Sequence, residues 1–385
     1  MRKYKVATII TKLELGGAQE IAIHTTENLN RNGYDPILVS GCGGILDGEV
    51  KNNPRIRPFF IPQLVRTVNP MKDAITLMKI WRLLKTEKVD LVHTHSSKAG
   101  ILGRWAAYFA GVPQIFHTYH GFGFNDYQNW WTRKAFIWME RVTAWISDKL
   151  IVVCSENAKK GLANRIGRKR QYEVIHCATN IRGFSEVRID IDDKKREFGI
   201  DAGSPVVAMI ACFKPQKAPQ DFIFLAHRVS QVLPNTRFIL VGDGELRPEV
   251  EALIRRFKLQ GKVILTGWRR DVPEIMQIVD VLVLTSLWEG LPIVFPEAMA
   301  SGKPVVATNV DGAKEAIIDG VNGFLVEAHN IEKFAERVIM LIRDRNLAQR
   351  MGREGQKMVY PTFDLTHMLK RIEALYEKSL VDFGD

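Results

Sequence analysis

The chain has 385 residues, 46% hydrophobic and 25% charged, which excludes a disordered polypeptide and leaves room for two or three domains. Its four cysteines (Cys42, Cys154, Cys177, Cys212) are scattered without a C-x-x-C pair, excluding a zinc ribbon and a disulfide framework and suiting a reducing cytoplasm. The net charge of +11 is lopsided, for residues 1–180 carry 26 Lys/Arg against 14 Asp/Glu and residues 181–385 carry 28 against 29. A basic half fits an anionic membrane surface, a phosphorylated substrate or nucleic acid; a merely soluble basic surface is the plain alternative.

The run Val6–Ile10, stopped by Thr11 and Lys12, is too short for a signal peptide and reads as a first strand. No apolar run reaches the roughly 18 residues of a membrane span. Further strands are expected at Pro36–Ser40, Val89–His93, Gln114–Thr118, Leu150–Cys154 and Glu173–His176. Amphipathic helices are expected between them at Ala18–Leu29, Lys72–Leu84 and Ala99–Phe109. The second half repeats the alternation with strands at Val206–Ala211, Arg237–Val241, Val263–Leu265, Val281–Leu284, Pro304–Thr308 and Gly323–Val326. Alternation of this kind predicts an α/β protein with parallel sheets covered by helices on both faces. Residues 178–204 are polar, turn-rich and without a strong apolar period, so the expected domains are 1–180 and 181–362. A tail helix over 363–381 can pack back across the boundary. The expected architecture is two Rossmann-like domains facing across a cleft, with ligands beyond the carboxyl ends of the strands.

The stretch 285–308, TSLWEGLPIVFPEAMASGKPVVAT, carries the most chemistry. Glu289 sits in a loop beside Gly290, and Glu297 follows eight positions later in a helix opening near Leu291–Val294. Amides at a helix start suit phosphate oxygens, and carboxylates accept hydrogen bonds from sugar or ribose hydroxyls. Two acidic residues favouring a helix start is the plainer alternative.

This string, with Gly302 and Pro304 in place, resembles the E-x7-E signature of the retaining, nucleotide-sugar-dependent glycosyltransferases of family 4, which have the GT-B fold. LELGGAQEIAI (13–23), HTHSSKAGILGRWAA (93–107), FHTYHGFGF (116–124), VGDGELRPEVEAL (241–253) and VILTGWRRDVPEIM (263–276) resemble segments of the same family. The resemblance implies that Glu297 binds the ribose hydroxyls and Glu289 the transferred sugar. It places the diphosphate on backbone amides after Gly290, in the donor-binding segment Leu291, Pro292, Ile293, where Pro292 has no N–H to give. His120 would be the acceptor-side residue reaching the donor sugar and phosphate across the cleft.

Gly16-Gly17 lies between the first strand and a helix, where its backbone can approach a phosphate closely. It has neither the G-x-G-x-x-G nor the P-loop spacing, and an ordinary turn explains it equally well. In ACFKPQK (211–217) Lys217 matches the family's diphosphate lysine, but Cys212 stands where the family has Arg. A thiol cannot replace a guanidinium fork. Lys214 is near enough to supply the second charge, or is a solvated surface lysine. His93, His95, His117 and His120 cluster without a zinc-binding spacing, so no metal is expected.

Residues 122–145 interleave Trp130, Trp131, Phe136, Trp138 and Trp145 with Arg133, Lys134 and Arg141. An interfacial helix on anionic lipid presents this pattern, and so does a buried helix with Trp138 and Trp145 in the core. Nucleic acid is not expected as a partner, because no nucleic-acid-binding motif accompanies the pattern.

The expected function is transfer of a sugar from a nucleotide sugar, a UDP-sugar, to a polyprenyl-linked or other carbohydrate acceptor in cell-surface polysaccharide biosynthesis. It needs no cofactor, retains anomeric configuration, and is peripheral on the cytoplasmic membrane face. The alternatives are a nucleotide-sugar epimerase of the same fold and a non-catalytic sugar-nucleotide-binding protein, to which Cys212 is the pointer.

Overall fold

In the computed structural model, which describes residues 3–381, two wholly parallel sheets account for the strands. The first contains β1 (Tyr4–Ile10), β2 (Tyr34–Ser40), β3 (Arg57–Phe60), β4 (Leu91–His95), β5 (Gln114–Tyr119), β6 (Lys149–Val152) and β7 (Tyr172–Val174). Their order across the sheet is β3-β2-β1-β4-β5-β6-β7. The second contains β8 (Val206–Ile210), β9 (Arg237–Val241), β10 (Val263–Gly267), β11 (Val281–Leu284), β12 (Val305–Thr308) and β13 (Gly323–Val326), in the order β10-β9-β8-β11-β12-β13. Val6, Ile9 and Ile10 of β1 and Val281–Val283 of β11 have no exposed surface. Burial of both faces is why these strands read as continuous apolar runs rather than alternating ones. In each sheet the order reverses once, at β1/β4 and at β8/β11, and ligands in such sheets bind outside the carboxyl ends at that point.

The chain divides into two units. The first runs to Cys177 and resumes at Thr366; the second runs from Ala178 to Leu365. The tail helix Leu365–Val381 therefore belongs mostly to the first unit. Tyr376 is fully buried with its hydroxyl on His93 Nδ1, and Glu373 accepts from the Asn30 amide at 2.7 Å.

Three expectations change. Residues 178–204 hold two short helices, Ile181–Ser185 and Ile191–Glu197, within the second unit. Helices of five and seven residues are too short to display an apolar period. The latter is pinned from afar by Lys194, which reaches Asp271 at 2.5 Å and Glu274 at 3.0 Å. Strand β3 was not expected; it carries Pro58 and lies at the sheet's edge, where proline is tolerated. Strand β4 lies two residues later than the sequence suggests, and this moves His93 from the strand's end to its middle and puts His95 at the end, both buried.

Candidate active site

In the second unit the chain leaves β8 and forms a single 3-10 turn, Pro215–Lys217, before the helix Pro219–Val232. Ala218 joins them in the left-handed region at φ 43°. Thr285, just past β11, fixes this turn: its hydroxyl is 3.0 Å from the carbonyls of both Lys217 and Ala218. The Leu287 amide donates to the Gln216 carbonyl at 2.8 Å. The segments following β8 and β11 are thus tied together at the sheet's reversal point.

The tie sets the chemistry. Lys217 Nζ is paired with Glu289 Oε1, and the Gln216 side-chain amide donates to Glu289 Oε2 at 3.3 Å and to the Trp288 carbonyl at 2.8 Å. The Glu289 amide donates to Asp311 Oδ2 at 3.0 Å, and the Gly312 amide to the Gly290 carbonyl at 3.0 Å. Asp311-Gly312 after β12 therefore holds the Glu289–Gly290 loop. Sequence reasoning missed Gln216, Thr285 and Asp311. Asp-Gly is legible as a turn signal, but its partner 22 positions earlier is not.

Glu297 lies in the helix Val294–Ala300 and is buried. Ahead of that helix, among the described residues, the amides of Leu291, Ile293 and Val294 donate to no backbone carbonyl. Unpaired amides at a helix start carry partial positive charge. Ser286 Oγ is buried and unpartnered. Lys214 is half-buried at the head of the 3-10 turn, its carbonyl accepting from the Lys217 amide at 2.9 Å, and Cys212 is half-buried and free. Gly242 and Gly244 abut this segment so closely that a Cβ would come within 2.1 Å of the Ala211 carbonyl oxygen and 2.5 Å of the Phe213 carbonyl oxygen. Lys217, Glu289, Gly290, Leu291, Pro292, Ile293 and Glu297 are thus gathered at one end of the second sheet, with Lys214 beside them.

In the first unit, the Gly16 carbonyl accepts from the Gln19 and Glu20 amides, each at 3.1 Å, as the cap of the helix Gly17–Asn28. The histidines lie on β4, β5 and the loop after β5. His93 Nε2 is 2.7 Å from the Thr118 hydroxyl, and His117 Nδ1 is 2.8 Å from that of Thr94. His95 Nδ1 is 3.0 Å from His120 Nε2, and His120 Nδ1 faces Cys177 Sγ at 4.0 Å. Burial pulls His93 down to about 3 and His120 to about 4, with His95 and His117 also well below the ordinary value. All four imidazoles are neutral at pH 7. Both His120 ring nitrogens face protein groups, and the buried His95 Nε2 is unpartnered.

Beneath this cluster Arg104 is fully buried. It reaches Glu140 Oε2 at 2.8 Å and the Gly100 carbonyl at 2.8 Å, while the Tyr119 hydroxyl donates to the same carboxylate oxygen at 2.7 Å.

The aromatic segment forms the helix Trp130–Ala144. Trp131, Trp138 and Trp145 are 69%, 64% and 84% exposed, so the core placement of Trp138 and Trp145 does not hold. The helix buries Ile137, Glu140, Thr143 and Ala144 instead. That face carries the carboxylate that Arg104 needs, and it turns the tryptophans outward. Among the described residues, no helix is long and apolar enough to cross a membrane.

Comparison with known proteins gives two family matches: residues 15–182 match "Glycosyltransferase Family 4" and residues 190–358 match "Glycosyl transferases group 1". The chain is 31% identical over 383 residues to the UDP-Gal:alpha-D-GlcNAc-diphosphoundecaprenol alpha-1,3-galactosyltransferase of Escherichia coli, covering 99% of this chain and 98% of that one. The chain belongs to glycosyltransferase family 4. The lipopolysaccharide core biosynthesis glycosyltransferase LpsE of Rhizobium meliloti is 26% identical, with 90% of this glycosyltransferase and 92% of LpsE covered. The crystal structure of Anabaena HepE with UDP and glucose matches the enzyme's fold with a TM-score of 0.85 at 21% identity, over 97% of this chain and 100% of HepE.

Proposed function

We propose that this glycosyltransferase moves a sugar from a UDP-sugar to a carbohydrate carried on a polyprenyl diphosphate, with retention and without a cofactor, in cell-surface polysaccharide synthesis. The observation that carries the donor half is the gathering of Lys217, Glu289, Glu297 and the open amides of Leu291, Ile293 and Val294 at the reversal point of the second sheet. The acceptor half rests on the full-length likeness to an enzyme named for a diphosphoundecaprenol acceptor.

Transfer breaks the bond between the sugar C1 and the β-phosphate oxygen and forms one from C1 to the acceptor oxygen. The acceptor's proton leaves with the departing phosphate. Negative charge grows on the diphosphate, so preorganised donors there lower the barrier. Lys217 is the fixed charge and Lys214 takes the place of the missing guanidinium at Cys212. In the free protein Glu289 compensates the Lys217 ammonium. A bound diphosphate takes that ammonium over and releases the Glu289 carboxylate to the sugar hydroxyls. Within the first unit, the reading gives His120 the acceptor-side role and the Gly16-Gly17 loop a phosphate-binding one.

Incubation with UDP-sugars, with and without membrane extract, tests the reading. Acceptor-dependent UDP release is expected; acceptor-free conversion of the donor would identify an epimerase, and binding alone a non-catalytic protein. The two glutamates should separate by calorimetric titration with UDP. Glu297→Gln weakens binding about tenfold, since hydrogen bonds to a charged group contribute roughly 1.5–3 kcal/mol. Glu289→Gln does not weaken UDP binding, since it removes the anion that competes with the diphosphate for Lys217, and it abolishes most transfer. Equal losses of UDP affinity would sink the division of roles.

The outward tryptophans and the basic first half support attachment to an anionic membrane surface. Trp130 and Trp131 stack at 3.6 Å with Lys134 Nζ 4.6 Å above the Trp130 ring. Basic residues at such a surface contribute roughly 1 kcal/mol each, screened by salt, whereas ring insertion resists salt. In vesicle co-sedimentation, Lys134→Ala should weaken binding at low salt, and Trp138→Ser with Trp145→Ser should remove the salt-resistant part. Because both rings are exposed, the melting temperature should hardly change. Absence of wild-type binding at either salt concentration would leave the charge as a solubility feature.

A further inference from the structure

A cavity of about 480 Å³ opens within the first unit at the carboxyl ends of β1 and β4, the point where that sheet's strand order reverses. Its wall is apolar: Ile10, Val68, Ile101, Leu102, Phe136 and Met139. Lys12, Arg66 and Lys98 also line it. Lys12 and Arg66 share one carboxylate, Glu14, at 3.2 and 2.7 Å, and Lys98 pairs with Asp73 at 2.6 Å. One positive charge is therefore in excess. Ser96, at the cavity's floor, holds φ 62°, a conformation costing on the order of 1–3 kcal/mol that survives only where surroundings impose it. Here its hydroxyl is 2.7 Å from that of Thr11 and accepts from the Thr11 amide at 3.2 Å.

Phe136 and Met139 come from the helix Trp130–Ala144, whose opposite side exposes Trp131 and Trp138. One helix thus offers aromatic rings to the surroundings and an apolar wall to the cavity behind it. A free sugar gains little from an apolar wall. An apolar chain ending in an anionic head satisfies both the wall and the excess positive charge. We propose that this cavity takes the first isoprene units and the diphosphate of the lipid-linked acceptor, so that the enzyme reads the acceptor's stem as well as its sugar. The assignment rests on the lipid-linked reading above and adds to it the site and the helix that joins membrane contact to acceptor entry.

Farnesyl diphosphate, inorganic diphosphate and farnesol serve as probes, titrated by calorimetry against the full chain saturated with UDP, which keeps the probes from the donor site. Farnesyl diphosphate should bind at least tenfold more tightly than either of the others. Met139→Lys should weaken farnesyl diphosphate tenfold or more while UDP affinity stays at the wild-type value. Should Met139→Lys fail to fold, Phe136→Ala is the second variant and should show a loss in the same direction. Equal affinity for farnesyl diphosphate and inorganic diphosphate overturns the assignment, as does unchanged farnesyl diphosphate binding in a folded variant. Failure of the donor reading is seen separately, as absence of UDP binding in the same titrations.

Discussion

Lys217→Ala is expected to lower turnover about 10²–10³-fold, the usual cost of removing one preorganised contact to a developing anion. The Lys217 side chain is 17% exposed and already held by Glu289 and the turn that Thr285 anchors, so it needs no reorganisation when charge develops. Lys214→Ala should cost less, because among the described residues no ion pair holds Lys214 as Glu289 holds Lys217. Cys212→Arg should be tolerated or raise activity, as it restores a guanidinium where the family has one. The measurement is steady-state UDP release at saturating donor, with circular dichroism to confirm folding. An unchanged rate in folded Lys217→Ala would remove the diphosphate from this turn. The Glu289 partner makes a second outcome readable: Lys217→Ala leaves a buried carboxylate without its cation, so UDP, itself anionic, should bind more weakly as well.

Glu140→Ala should destabilise the first unit by about 3–5 kcal/mol, the cost of leaving a buried charge uncompensated. Arg104 has no exposed surface, and Glu140 is its carboxylate partner, shared with the Tyr119 hydroxyl. Arg104→Met combined with Glu140→Leu should be far less damaging than either single loss, since apolar replacement of the whole pair removes both desolvation costs. Calorimetric unfolding of the single and double variants gives the comparison, and UDP affinity, which the proposed donor site assigns to the second unit, should survive in all of them. A single variant as stable as the wild type would mean that water reaches Arg104.

Much of this protein was legible in the sequence. Buried parallel strands leave unbroken apolar runs, so most strands, the fold class and the two-domain division followed from local pattern. The family strings marked Lys217, Glu289, Gly290 and Glu297, and the structure gathers them at one sheet end. The Arg104–Glu140 pair was invisible, because the two residues lie 36 positions apart and each alone resembles a surface charge. The same blindness left Trp138 and Trp145 open between a membrane-facing surface and the core. Composition cannot say which face of an amphipathic helix is buried when aromatic rings and a carboxylate compete, and the buried Arg104 settled it.

What the sequence determined by itself is what local chemistry dictates: apolar period, turn residues, charge asymmetry and which lysine, Lys217, matches the family's pattern. What the tertiary structure decided is which distant groups meet. It paired Lys217 with Glu289, anchored that glutamate's loop on Asp311, turned His120 onto His95, and set Phe136 and Met139 behind the tryptophans as the wall of a cavity. The first three of these contacts join residues at or beyond the ends of different strands, and the cavity wall joins a helix to strand ends. Only the order of strands in a sheet and the packing of helices against it fix such distances, and a linear pattern carries neither.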